Sequence, residues 1–246
     1  MADELLVWSL RGIEEALKAR HPAQGLYLLK EGGRRLEELA REARRQGIKV
    51  VRVPKKHLDH YSTEHQGAVL ILSPVGFFPW KERLREVQRR GETPFFLALD
   101  GVVDVGNMGA ILRSCEVLGV HGVVIPRRRS APITPAVVKA SAGAALHLPV
   151  DRVSNLAGTL RAMKKEGLWI VGTHLQGEQM PFEVDLTIPL VLVMGNEEKG
   201  LSSLVKDTCE FLVKIPMRGM TASLNVAAAT AVLLYEVQRQ RGGFLR

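Results

Sequence analysis

Two loops in the last third of the chain hold polar side chains among glycine and small apolar residues. The first loop, residues 195–200, contains Asn196 and Glu197, and the second, after the run IPMRGM, contains Ser223 and Asn225. A strand is predicted before each loop, at 190–194 and at 211–215. Because open α/β sheets bind ligands at the carboxyl ends of their strands, backbone amides and these side chains are positioned to close around one small molecule.

A second polar pair lies upstream. Asn107 and Arg113 are six residues apart, across the glycine turn 106–109 and the first turns of the helix predicted to follow it. The apolar neighbours Ile111, Leu112 and Val117 predict that this helix is largely buried, so both polar side chains are expected to face a cleft at the strand ends.

The same glycine turn also suits a dinucleotide, since glycines after a strand let backbone amides approach phosphate. Arg127, Arg128 and Arg129 follow the next strand, where an NADP-dependent enzyme holds its 2′-phosphate. However, the glycine spacing is not G-x-G-x-x-G, and a Rossmann oxidoreductase gives loops 195–200 and 217–225 no role. The oxidoreductase interpretation is therefore the weaker one.

The elements that must position these loops form repeating βα units. Strands are predicted at 95–99, 122–125, 168–173, 190–194 and 211–215, and helices at 110–118, 135–145 and from about residue 224. Such repeats predict a parallel sheet with helices on both faces.

The first 74 residues predict a separate, compact α/β domain. Helices are expected at 12–20 and 34–46 with a helical turn at 56–61, and strands at 25–29, 48–53 and 68–72. Residues 75–93, an aromatic-proline cluster and a short basic helix, read as a linker before a domain spanning 94–246. The loop residues Arg11, Lys55, Lys56, His57, His60 and His65 are candidates for phosphate contact.

Composition narrows the class of protein. The formal charge of +8 and pI near 9.7 suit a polyanionic partner. The chain has no run of about eighteen apolar residues, and its start is unlike a signal peptide, so a cytoplasmic location is expected. Cys115 and Cys209 lie in apolar contexts, and no His, Cys or Asp cluster has metal-ligand spacing, so no metal is expected.

Three runs of this sequence stand out together: N-M-G-A-I-L-R at 107–113, M-G-N-E-E-K-G-L-S at 194–202 and I-P-M-R-G-M-T-A-S-L-N at 215–225. They resemble the three motifs of the SpoU class of SPOUT ribose 2′-O-methyltransferases. The first domain, with the run E-H-Q-G at 64–67, is similar to the L30-like domain that precedes the catalytic domain in some of these enzymes. Glu198 stands where the family usually has Gly, and Val105 where Pro is common.

The resemblance implies S-adenosyl-L-methionine as cofactor and a set of site residues. Gly195, Ile215 and Leu224 would supply backbone contacts to the cofactor, with Thr173 and Met217 close by. Glu197 would orient the active-site Arg113, while Ser223 and Asn225 would line the reaction centre. The family commonly assigns that arginine as a general base. A neutral guanidine at pH 7 is costly, so a cation that holds RNA phosphate and stabilises the developing oxyanion, with Asn107 fixing its geometry, is the alternative.

The resemblance also implies a C-terminal trefoil knot, which elementary rules do not predict, and a homodimer through the last helix, with Val226, Val232, Leu233 and Tyr235 as its surface. The expected substrate is a guanosine in large-subunit ribosomal RNA. Transfer RNA as substrate, or a catalytically silent RNA-binding ribosome assembly factor, are the alternatives.

Overall fold

The computed structural model describes residues 5–72, 78–175, 177–220 and 223–242. The strands are β1 Leu5–Val7, β2 Ala23–Leu29, β3 Val50–Val53, β4 Ala68–Leu72, β5 Phe95–Asp100, β6 Gly122–Pro126, β7 Val150–Val153, β8 Trp169–Thr173, β9 Leu190–Gly195 and β10 Phe211–Val213. The helices are α1 Leu10–Lys18, α2 Arg34–Arg45, α3 Lys55–Asp59, α4 Trp80–Arg89, α5 Val105–Val117, α6 Pro135–Ala140, α7 Leu156–Lys165, α8 Ser203–Lys206 and α9 Val226–Gln240. Within these ranges no helix is long and apolar enough to cross a membrane.

The chain divides into two compact units, Met1–Gly76 with Pro132–His147, and Phe77–Ala131 with Leu148–Arg246. The first unit holds a four-stranded sheet in the order β1-β4-β2-β3, in which β4 pairs antiparallel and β2 with β3 parallel. The predicted division at 1–74, 75–93 and 94–246 remains a prediction. The segment Pro132–His147, which the sequence assigns to the second domain, groups with the first unit, where α6 packs on β1.

His65, a candidate for phosphate contact in the first unit, is too deeply buried to contact RNA. The side chain of His65 is only 4% exposed, and its Nε2 lies 3.1 Å from Asp59 Oδ1. Its Nδ1 accepts a hydrogen bond from the Gly67 backbone amide at 3.0 Å. His65 therefore fixes the turn before β4, whereas Lys55, Lys56, His57 and His60 are exposed.

The second unit is built on a six-stranded parallel sheet in the order β10-β8-β9-β5-β6-β7. This confirms the predicted α/β class. Alternate residues of the central strands, such as Phe96, Val191 and Val193, pack with α4 and α7 on one face. On the other face α9 packs against β9 and α5. Strands covered on both faces must be apolar throughout, which is why β5 and β9 read as unbroken hydrophobic runs.

Strand order places the predicted loops together. β5 is followed by connections that lead away to β6 and β7, whereas β9 lies between β5 and β8 and leads away to β10. The central pair β5 and β9 thus forms a topological switch point, where a crevice opens at the carboxyl ends of the strands. Because every strand of this sheet is parallel, the loops after β5, β8, β9 and β10 all meet at this edge.

Several predicted boundaries shift for local reasons. The glycine turn at 106–109 is the first turn of α5, because Asp104 caps the helix by accepting from the Asn107 amide at 2.7 Å. The helix predicted at 135–145 ends at Ala140, since Ala142 and Gly143 adopt left-handed conformations with φ of 52° and 93°. β10 ends at Val213, two residues before the predicted 215. β7 and α7 were not predicted.

The C-terminal helix is tied to the amino edge of the sheet by Arg241. Its guanidinium donates hydrogen bonds to backbone carbonyl oxygens of Thr93, Pro94, Leu186 and Ile188, and it lies over the Phe95 ring at 5.0 Å from the ring centroid. Burial lowers the pKa of Arg241 to about 10. The guanidinium stays charged at neutral pH and satisfies carbonyl groups that would otherwise be left unpaired.

Candidate active site

The turn after β9 is closed by its own backbone. Asn196 and Gly200 exchange two hydrogen bonds, N to O, at 3.0 and 2.9 Å. A Cβ placed on Gly195 would lie 2.3 Å from the Gly200 carbonyl carbon, a distance that no side chain tolerates. Glycine is therefore required at 195, and the motif that begins there encodes a tight loop.

Asn196 holds this loop from inside. Its Oδ1 accepts hydrogen bonds from the amides of Glu198 and Lys199 at 3.0 and 3.1 Å, and its Nδ2 donates to the Gly101 carbonyl after β5 at 2.9 Å. The left-handed residue of the turn is Gly200, with φ of 66°, and not Glu198. Glu198 in place of the family's glycine is therefore accommodated without backbone strain.

Three predicted residues from three separate motifs form one hydrogen-bonded chain. Asn225 Oδ1 caps α9 by accepting from the Ala227 amide at 2.9 Å, so its Nδ2 donates, to Asn107 Oδ1 at 2.9 Å. Asn107 Nδ2 in turn donates to Glu197 Oε1 at 2.5 Å. Because the cap fixes one end and the carboxylate the other, every donor and acceptor in the chain has a defined direction.

A cleft of about 350 Å³ lies beside this hydrogen-bonded chain, at the carboxyl ends of β8, β9 and β10. All the residues predicted to bind the cofactor line this cleft, namely Thr173, Gly195, Ile215, Met217 and Leu224. Glu197 and Ser223 line it as well. Its volume and mixed apolar and polar walls are those of a small-molecule site. Asn107, Asn225 and Arg113 are not among its lining residues.

Arg113 is the predicted site residue that does not lie against the other predicted site residues of its own subunit. Its side chain is exposed and makes no hydrogen bond or ion pair with any residue in the described part of the chain. Six residues of α-helix place it about 120° around α5 from Asn107. The expected contact of Glu197 with Arg113 is absent, because Glu197 is bound to Asn107 instead.

Sequence reasoning missed one supporting residue. Asp100, the last residue of β5, accepts hydrogen bonds at Oδ2 from the Ser202 amide and hydroxyl at 2.7 and 2.6 Å, which fastens the end of the 195–200 loop to the neighbouring strand. Its position at a strand end is the signal that could have found it. Thr221 and Ala222, beside Ser223, lie outside the described residues. No group of His, Cys, Asp or Glu within the described ranges could hold a metal ion.

Parallel α/β sheets with a ligand cleft at the carboxyl ends of their strands occur in many enzyme families, so comparison with known proteins decides which family this one belongs to. The model of the SpoU rRNA methylase family matches residues 94–235, and a model for RNA 2′-O ribose methyltransferase substrate binding matches residues 7–77. The chain belongs to the SpoU methylase family of RNA methyltransferases.

Relatives cover nearly the whole chain. It is 42% identical over 233 residues to the 23S rRNA (guanosine-2′-O-)-methyltransferase RlmB of Pseudomonas putida, covering 92% of this chain and 93% of the relative. It is 44% identical over 200 residues to YacO of Bacillus subtilis, a putative TrmH family tRNA/rRNA methyltransferase, covering 81% and 80% of the two chains. The crystal structure of AviRb from Streptomyces viridochromogenes in complex with AdoMet superposes with a TM-score of 0.83 at 29% identity, covering 98% of this chain and 92% of that one.

Proposed function

We propose that this protein transfers a methyl group from S-adenosyl-L-methionine to a ribose 2′-oxygen of structured RNA, and that the preferred target is a guanosine of large-subunit ribosomal RNA. The observation that carries the proposal is the chain from Asn225 through Asn107 to Glu197, which lies beside a small-molecule cleft and joins three motif loops. The RNA target is supported by the relative that modifies 23S rRNA, whereas other relatives are described only as tRNA/rRNA enzymes.

The cleft suits the cofactor in size and chemistry. Its floor is the backbone of Gly195, which approaches a ligand without a side chain, and its walls include Met194, Ile215 and Leu224 for an apolar ring. Glu197 and Glu198 place carboxylates at the rim, where a sulfonium cation is favoured, and Lys199 and Lys214 suit a ligand carboxylate. S-adenosylmethionine supplies an electrophilic methyl group when bound.

Residues of the protein itself align the ribose hydroxyl that accepts the methyl group. Asn107, held between Asn225 and Glu197, fixes the Glu197 carboxylate beside the cleft, where the remaining acceptor capacity of that carboxylate can receive the ribose hydroxyl. Arg113 acts as a cation that binds the phosphate beside the target ribose and stabilises negative charge on the 2′-oxygen. The planar guanidinium offers a fork of N–H donors that matches two phosphate oxygens, which favours this role over that of a general base.

Arg113 reaches the reaction centre of a second copy. It lies on the same exposed stripe of α5 as Val117, one turn further on, which is 70% exposed. Val232 and Tyr235 of the adjoining α9 are 46% and 53% exposed, whereas Val226 and Leu233, also expected in the dimer surface, are buried in their own subunit. A two-fold dimer through α5 and α9 covers this apolar face and carries Arg113 into the interface.

Methylation of RNA from a strain that lacks the gene tests the proposal. The purified protein is incubated with total RNA and cofactor labelled in the methyl group, and 2′-O-methylated positions are mapped. We expect label in large-subunit ribosomal RNA at a guanosine that is unmodified in that strain. Label confined to transfer RNA would refute the ribosomal target, and RNA binding without any transfer would favour the assembly factor.

A further inference from the structure

The three consecutive arginines after β6 have no place in the methyl-transfer site. Arg127 lies beside Arg152 of the neighbouring strand β7, and the two are held together by reciprocal hydrogen bonds. Arg127 Nε donates to the Arg152 carbonyl oxygen, and Arg152 Nη2 donates to the Arg127 carbonyl oxygen, both at 3.3 Å. Arg127, which directly follows β6, and Arg152 of β7 thus place two cationic groups side by side at the carboxyl ends of neighbouring parallel strands, where a bound anion is favoured.

Arg127, Arg128 and Arg129 are exposed, and none forms an ion pair with any residue that the structure describes. Arg129 adopts a left-handed conformation with φ of 60°, which is costly for a residue with a side chain and turns the run back at the sheet edge. A solvated surface helix would instead alternate charges of opposite sign, as α2 does with Arg34 and Glu38.

The cluster opens onto a second cleft, of about 390 Å³, at the carboxyl ends of β6 and β7. Arg127 and Arg152 line it together with Lys81 and the polar residues Ser154, Asn155 and Thr159. Lys81 lies over the Trp80 ring at 5.5 Å and 3.6 Å from Glu166, so it is held at the rim by one aromatic and one partly exposed carboxylate. Cations and hydroxyl or amide groups around a cleft are the groups that bind phosphate oxygens.

This basic cleft and the methyl-transfer site share one edge of the same sheet. The basic cleft at β6 and β7 is two strands away from the reaction centre at β5 and β9, roughly 10 Å along the edge at about 4.8 Å per strand, and it opens on the face covered by α4 and α7, whereas α5 and α9 cover the other face. A polynucleotide that runs from the reaction centre across this edge of the sheet would reach the arginine cluster within a few nucleotides.

We propose that Arg127, Arg128 and Arg152 form a phosphate-binding site for the RNA backbone a few nucleotides from the methylated ribose. The inference rests on the proposed function and adds to it a docking point within the catalytic unit. The site does not recognise any particular base, because phosphate contacts fix the register and orientation of the RNA without carrying sequence information. It positions the RNA strand along the sheet edge so that the target ribose reaches Glu197.

The test is the double substitution Arg127→Gln with Arg128→Gln, with Arg128→Gln alone as the milder variant, because the exposed Arg128 side chain makes no hydrogen bond or ion pair with the residues that the structure describes. The matched control is Arg89→Gln with Arg90→Gln, which removes the same charge from the end of α4, close to the start of β5 at the opposite edge of the sheet. Binding of a large-subunit ribosomal RNA transcript is measured over a range of salt, with thermal unfolding and cofactor titration beside it.

We expect the double substitution to weaken RNA binding roughly tenfold, and to reduce the slope of log affinity against log salt by about 1.5, while cofactor affinity and thermal unfolding stay unchanged. The control should keep affinity and slope within twofold of the parent. In single-turnover methylation the variant should recover the parent rate at saturating RNA.

A double variant that binds RNA with the parent's affinity and slope, or loses no more than the control, overturns the phosphate site. The two proposals fail separately. If the parent methylates RNA and the variant behaves like the parent, only the phosphate site is wrong. If the parent transfers no methyl group but its RNA binding still depends on Arg127 and Arg128, only the enzymatic function is wrong.

Discussion

Asn107 makes other contacts than the sequence predicted, and its role in the site stays a prediction. The motif placed it beside Arg113 in sequence, but its two amide atoms are taken up by Glu197 and Asn225, which come from loops about 90 and 118 residues away. Sequence indicates which polar residues lie at strand ends. It does not state the direction of a hydrogen bond between loops, since that depends on how three strands are ordered in the sheet.

Gly195→Ala should damage the cofactor cleft directly. The added methyl would lie 2.3 Å from the Gly200 carbonyl carbon, so the 195–200 loop must open. We expect cofactor affinity, measured by calorimetric titration, to fall at least about tenfold, because the loop backbone forms the cleft floor. The matched control is Gly219→Ala in the loop before α9, where a Cβ meets nothing within 4 Å. Equal affinity for both variants would contradict the role given to Gly195.

Asn107→Asp should produce an enzyme whose activity rises as the pH falls. The new carboxylate lies beside Glu197, and two carboxylates that close cannot both ionise easily, so the pKa of one of them is raised. Above that pKa the pair repels, and we expect a loss of roughly 100-fold in turnover from misplacement of Glu197. Below it, a protonated Asp again donates the hydrogen bond, and activity returns relative to the parent.

Asn107→Ala provides the comparison, since it removes the donor without adding a charge. Its loss of turnover should be the same at each pH, and cofactor titration should give near-parent affinity for both variants, as Asn107 does not line the cleft. A pH-independent defect in the Asp variant would show that Asn107 does not contact Glu197 in the working enzyme.

Among the secondary-structure elements, long apolar runs were the easiest to predict. β5 and β9 are buried along their lengths and appear in the sequence as FFLAL and LVLVM, whereas β7 is four residues long with Asp151 and Arg152 at its centre and does not look like a strand. The start of α5 was missed for a different reason. Gly106 and Gly109 suggested a loop, but the Asp104 cap was enough to begin the helix there.

His121 joins α4, β5 and β6 in a way that depends on pH. Its Nδ1 accepts from the Phe95 amide at 3.0 Å, and its Nε2 lies 2.9 Å from Glu92 Oε2, so the neutral ring carries its proton on Nε2. Burial lowers the pKa of His121 and outweighs the opposing effect of Glu92. Its contribution to stability is thus fully present above the unfolded pKa of about 6.5 and is lost as the pH falls below it.

His121→Phe should therefore destabilise most at high pH. At pH 8 we expect the free energy of unfolding to fall by about 1 to 3 kcal/mol, because the buried Phe95 amide loses its hydrogen-bond acceptor. The difference from the parent should shrink at pH 5, where the unfolded parent gains a proton that the native state resists. Urea unfolding at pH 8, 7, 6 and 5 measures this, with the exposed His60→Phe as control. If the difference in unfolding free energy between the parent and the variant stays constant from pH 8 to pH 5, titration of His121 is excluded as its cause.

For the whole molecule, the α/β class and the order of the motifs were predictable from sequence, and the grouping of Pro132–His147 with the first unit was not. The run TPAVVKASAGAAL has the pattern of an ordinary helix of a βα repeat, and its apolar residues give no sign of which sheet they cover. The trefoil knot stays a prediction. The 29%-identical structural relative makes the SpoU fold secure and leaves the assembly of two copies to be tested.

Subunit mixing gives the decisive test of that assembly. Arg113→Ala and Asn107→Ala are each expected to be inactive as pure dimers. If Arg113 serves the site of the other subunit, a mixed dimer contains one site with both defects and one with none, so full exchange should restore about a quarter of parent activity. If Arg113 acts within its own subunit, every site in the mixed dimer keeps one defect and mixing restores nothing.

The same interface can be broken without touching the site. Val117→Glu with Val232→Glu places buried charges in the proposed α5 and α9 surface, and light scattering should show monomers where the parent is a dimer. Leu204→Glu on α8, a position that is 65% exposed and outside this face, should leave the dimer intact. The monomeric variant should lose methyl transfer while it still folds, because an α5 surface without its partner leaves Arg113 in solvent. A monomer with parent activity would place Arg113 back in its own subunit's site.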